Sequence, residues 1–167
     1  MADEAITNSQ IEVFLDEVRS KLSGAYNYEP VDSTEKWVYA EVAVNNVASA
    51  DLLSVTAGDT SAYPTYMGTS DVVASGDTIN WIAIKNTTST ATTGLLVSLD
   101  GGDCAYGTAD NILIGAGELC IIKCPLVTVA NLHGRTVTIA NGKASTSAQG
   151  SLTLTALVAG VLHDDSA

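Results

Sequence analysis

The sequence predicts a mainly β protein, an antiparallel β-sandwich with one amphipathic helix at the N-terminal end. Three observations predict it. Threonine, serine, glycine and asparagine fill the spaces between alanine, valine, leucine and isoleucine, the palette of strands and turns. After residue 35 the chain falls into short apolar runs separated by turn clusters. Before residue 35 there is one stretch of helical period and a strong excess of acid.

The chain has 167 residues, 46% of them hydrophobic, enough to bury one core. Residues 9–23, SQIEVFLDEVRSKLS, carry the helical signal. Ile11, Phe14, Leu15, Val18 and Leu22 fall on one stripe, Ser9 and Glu12 form a capping box, and Gly24 supplies a stop. So short a helix is marginal alone in water, so its stripe is expected to dock on another surface. Residues 25–35, AYNYEPVDSTE, read as an extended arm carrying Tyr26 and Tyr28. The expected division is therefore a helix and arm over 1–35 and a β-sandwich over 36–167.

Strands are expected near 36–45, 51–56, 71–75, 78–85, 93–99, 111–115, 118–124, 126–130, 135–140 and 150–163. SAYPTYMGTS, TTSTATT, GGDCAYGTAD and NGKASTSAQG read as the loops between them. The last segment, SLTLTALVAGVLHD, alternates like a strand in its first half, and its threonine and valine content favours a strand over a buried helix. Short strands at this spacing fit a sandwich or a barrel. Ile79, Trp81 and Val97 are expected in the core or an interface, and Trp37 in core packing or as an interface anchor.

Charge narrows the function. Nineteen acids against seven bases give a net charge of −12, which repels nucleic acid and anionic membrane. Eight of the acids and only two of the bases lie in residues 1–35. No run is long and apolar enough to span a membrane. The opening MADEAITNSQ has neither the basic start nor the apolar centre of a signal peptide, so free thiols in a reducing cytosol are expected for Cys104, Cys120 and Cys124.

Candidate chemistry is sparse. Cys120 and Cys124 form a C-x3-C pair with no second pair and no nearby histidine. On a strand they share a face but stand roughly 13 Å apart, too far to chelate one ion, so they are expected as buried structural thiols. Asp100, Asp103 and Asp110 lie in a glycine-rich stretch that could offer oxygens to calcium, but the EF-hand order is absent and D-G-G is also a plain turn. Asp100 is expected to shape that turn. His133 is expected in a loop before Gly134, and His163 in a frayed tail. There is no G-x-S-x-G, no P-loop and no dinucleotide fingerprint. No enzymatic activity, cofactor or metal is expected. The triplet Asn86-Thr87-Thr88 reads as part of a polar hairpin loop.

The order of blocks KWVYAEVAV, DTINWIAIKN, GLLVSLDGG, DNILIGAGELCIIKC and VTVANLHGRTV resembles small virion structural proteins of tailed bacteriophages, especially marine and cyanobacterial phages. Within that group the chain is most similar to capsid decoration, or cement, proteins. The resemblance covers roughly residues 36–140. It implies a jelly-roll, immunoglobulin-like or β-tulip module, often a homotrimer, that clasps the major capsid protein on the outer shell of a virion made in the host cytoplasm. A tail, neck or head-fibre position, or a displayed carbohydrate-binding module using Tyr63 and Tyr66, would carry the same features. Ile11, Phe14, Leu15, Val18, Leu22, Tyr26, Tyr28 and Trp37 are the expected interface residues.

Overall fold

A computed structural model describes residues 5–15, 18–28, 35–53, 73–102, 104, 111–140, 143–145 and 152–163. The chain divides into two compact units, Met1–Val31 and Asp32–Ala167. It is mainly β, with antiparallel sheets throughout.

The first unit corrects the expected helix. Residues 9–15 and 18–23 belong to paired strands, in which β1 (Ala5–Leu15) pairs with β2 (Val18–Tyr28) from Ala5↔Tyr28 to Leu15↔Val18. The same residues that fit a period of 3.6 also fit a period of 2. Ile11, Val13 and Leu15 alternate with Glu12 and Phe14, and Val18 and Leu22 alternate with charged Arg19 and Lys21. Pairing then sets position 11 opposite position 22 and position 12 opposite position 21. The Ser9 hydroxyl, expected as a helix cap, donates instead to the Gly24 carbonyl across the hairpin at 3.5 Å. The expected arm is corrected in part as well, since Ala25 to Tyr28 continue β2.

The second unit contains β3 (Glu35–Asn45), β4 (Ala50–Asp51), β5 (Thr78–Asn86), β6 (Thr93–Ser98), β7 (Asn111–Ile114), β8 (Leu119–Thr128), β9 (His133–Ala140), β10 (Lys143–Ser145) and β11 (Thr153–His163). One 3₁₀ turn, Val129–Asn131, precedes β9. One sheet runs β3-β11-β5-β8. The other runs β10-β9-β6-β7, with β4 also on β9. Val38, Ala40 and Val44 from β3, Ile82 and Ile84 from β5, and Ala156 and Val158 from β11 share one buried cluster with Leu95, Val97 and Ile114 of the other sheet. Two antiparallel sheets enclosing a common core are consistent with a β-sandwich.

Most strands lie where alternation places them, and the differences have physical reasons. β4 is only two residues long, because Leu52 and Leu53 turn into the core immediately after it. Residues 73–75, expected at the end of a strand, are outside regular structure. The two runs at 118–124 and 126–130 merge into β8 through Pro125, which an edge strand tolerates because one side needs no ladder donor. The register slip between Ile79↔Cys124 and Thr78↔Thr128 absorbs the misfit. β10 arises within the stretch expected as a loop. Thr153–His163 is a strand throughout, so His163 ends β11 rather than fraying.

A β-bulge sits at the heart of the first sheet. Val161 pairs with Trp81 but Leu162 pairs with Ile79, leaving Asn80 as the extra residue. The bulge turns Ile79 into the core and Trp81 onto the outer face, while the Asn80 amide donates to Glu35 at 2.7 Å. Gly160 is required there. A Cβ on it would lie 2.4 Å from the Trp81 carbonyl oxygen.

Candidate interaction surface

The hairpin gathers most of the expected interface residues. Alternation along the register places positions 11 and 15 of β1 on the same face as positions 18, 22, 26 and 28 of β2. Position 14 falls on the opposite face, so Phe14 departs from the stripe expected for a helix. Leu22 is 72% exposed and Ile6 58%. Trp37 belongs to the second unit, on β3, where its ring meets that of Trp81 edge to face at 6.1 Å. Trp81 is buried, yet its indole nitrogen has no hydrogen-bond partner among the described residues.

A second apolar surface, not among the expected interface residues, lies on the second unit. On the outer face of the β3-β11-β5-β8 sheet, register aligns Tyr39, Ala159, Ala83 and Ile121 in one row, and Glu41, Leu157, Lys85 and Leu119 in the next. Tyr39 and Ile121 are each 41% exposed and Leu119 57%. The Tyr39 hydroxyl reaches the Glu41 carboxylate at 3.4 Å along the same face. The signal was available in KWVYAEV and ELCIIKC. Trp37 and Tyr39 in the first, and Leu119 and Ile121 in the second, are apolar at outward positions where a solvated sheet face would be polar.

The other candidates have structural roles. Cys120 and Cys124 are free thiols that pack against the core between the sheets, and burial pushes both pKa values up, away from reactive thiolate. Cys104 is a free thiol packed with Leu96 and Val137 on the outer side of the second sheet. Asp100 shapes its turn as expected, accepting from the Ser98 hydroxyl at 2.5 Å and from the Gly102 N–H at 2.9 Å. These two hydrogen bonds, the Ser98 one first, hold its carboxyl below the ordinary range. Asp103, Asp110, Tyr63 and Tyr66 lie outside the described residues.

His133 is corrected from loop to strand. It opens β9, with Nε2 3.3 Å from Asp51 and Nδ1 3.2 Å from the Gly102 carbonyl oxygen. Gly134 serves packing rather than a turn, since a Cβ there would come within 2.6 Å of Leu52. Among the described residues, no three His, Cys, Asp or Glu side chains stand together in a way that could hold a metal ion. No helix among them is long and apolar enough to cross a membrane. Comparisons with protein-family models, curated proteins and solved structures return no match.

Proposed function

We propose that this chain is a non-enzymatic virion structural protein, a decoration protein that binds the outer capsid surface as a homotrimer and bridges neighbouring copies of the major capsid protein. The observation that carries the reading is the strand order. We read β3-β11-β5-β8 opposite β4-β9-β6-β7 as a jelly roll, with β10 as a short addition. Jelly rolls form rigid viral capsid modules, and the resemblance over residues 36–140 points to the virion among their uses. The acidic surface suits an outer shell, away from packaged DNA.

The mechanism is bridging by many weak contacts. Each subunit contributes a docking surface, and oligomerisation raises the effective concentration of the others. A ligand that binds only the assembled shell stabilises it by mass action. The hairpin face bearing positions 11, 15, 18, 22, 26 and 28 supplies the inter-subunit contact in this reading.

The test is addition of the purified protein to undecorated capsids, followed by occupancy and the temperature at which the shell ruptures. Saturable binding and a higher rupture temperature are expected; absence of either counts against the reading. Removal of residues 1–30 should abolish trimerisation and lower occupancy. Full trimerisation and occupancy without them would remove the hairpin from the mechanism.

A further inference from the structure

We infer that the outer face of the β3-β11-β5-β8 sheet is a twofold interface that pairs two copies of this chain. The inference goes beyond the proposed function and does not rest on it. Its basis is the self-complementarity of the two exposed rows.

Face-to-face pairing about a twofold axis running along β11 leaves each row facing its own counterpart, with the two flanks exchanged. Glu41 on the β3 side and Lys85 on the β5 side stand one strand to either side of Leu157. The exchange sets Glu41 of each copy opposite Lys85 of the other. In the next row Tyr39 and Ala83 flank Ala159 in the same way. The exchange sets each large ring over a small methyl. Leu157 and Ala159, on the axis, face themselves. One operation therefore matches charge and size together. Strand neighbours are only about 4.8 Å apart, so the usual crossing angle of stacked sheets displaces these pairs little.

The exposure is of the kind an interface covers. Tyr39, 41% exposed, is the large hydrophobic that this pairing covers, while Ile121 and Leu119 of β8 lie beyond the edge of the partner's β3. Glu41 and Lys85 are exposed, so their pairing sets register and excludes wrong partners rather than supplying most of the affinity.

The test is native mass by analytical ultracentrifugation of the full chain across a concentration series. The wild type is expected at an even multiple of the 17.2 kDa single-chain mass. Glu41→Lys and Lys85→Glu, each placing like charges opposite one another twice, should weaken pairing about tenfold or more. The double variant Glu41→Lys with Lys85→Glu should restore it. Thermal unfolding checks that all three variants fold. A wild type that stays at one copy or at three, single variants that pair as the wild type does, or a double variant no better than the singles would each overturn the inference.

Discussion

The side-chain amide of Asn86, at the end of β5, donates to the Ile114 carbonyl of β7 at 3.2 Å and so ties one sheet to the other. The same Nδ2 donates to the Thr93 carbonyl of β6 at 3.2 Å, and Oδ1 accepts from the Thr88 N–H at 3.1 Å. Asn86 is fully buried. Its side chain thus satisfies a corner where β5, β6 and β7 leave their ladders, a need that an apolar residue cannot meet.

Asn86→Leu should therefore cost about 2–4 kcal/mol, because it strands two carbonyls and an N–H at once. Denaturant unfolding monitored by tryptophan fluorescence reads the loss. Asn86→Asp should be worse at neutral pH, since a carboxylate there faces two carbonyl oxygens. A loss below about 0.5 kcal/mol for both variants would show that Asn86 does not hold the corner.

Two glycines separate crowding from backbone conformation. Gly160→Ala forces a methyl to within 2.4 Å of the Trp81 carbonyl oxygen and 3.1 Å of the Ile82 Cα, and backbone cannot swing aside as a flexible side chain can. The expected cost is about 3 kcal/mol or more, with the bulge rearranged. Gly117 has φ +73° and open space where its Cβ would be, so Gly117→Ala meets only the left-handed penalty, about 1–2 kcal/mol. Equal losses in the two unfolding curves would contradict this division.

How far the sequence disclosed all this depends on which competing period a segment satisfies. Thr153–His163 alternates in its first half, and with its threonine and valine content that is enough to read it as a strand, in which Leu154, Ala156 and Val158 are buried. IEVFLDEVRSKL satisfies both periods, and the capping box and charged face favour a helix. What decides is pairing between residues that local pattern does not connect, as in Ile11↔Leu22. The bulge at Asn80 is hidden for the same reason. NWIAIK reads as one alternation until a second strand two registers away exposes the extra residue. The outer rows of Tyr39 and Ile121 are legible as apolar, but not as exposed, because one face of a strand looks like the other until a core has claimed one of them.

The Asp100 carboxylate gives a pH-dependent signature. Its folded pKa lies below the ordinary value, through Ser98 first and Gly102 second. A carboxyl depressed on folding contributes stability above its unfolded pKa, and that contribution disappears as pH falls through the folded pKa. Ser98→Ala removes the larger cause and leaves the Gly102 N–H in place. Carboxyl titration by NMR should move the Asp100 midpoint upward in that variant, toward the ordinary aspartate range. An unmoved midpoint would mean that the Ser98 hydroxyl does not govern the turn.

The last joint between the sheets is one hydroxyl. Thr136 of β9 is buried, and its Oγ1 donates to the Val44 carbonyl of β3 at 2.6 Å, while the neighbouring Arg135 guanidinium donates to the Asn46 carbonyl at 3.0 Å. β3 is an edge strand, so these bonds fasten its end to the opposite sheet. Thr136→Val keeps the shape and removes only the donor, for an expected loss of about 1–2 kcal/mol. Thr136→Ser keeps the donor and loses a methyl, and should cost about 1 kcal/mol or less. Hydrogen exchange adds a local readout. The amides of β3 should exchange faster in the valine variant and unchanged in the serine variant, beyond what the global stability difference accounts for. Faster exchange in both to the same degree would assign the effect to packing rather than to the hydrogen bond.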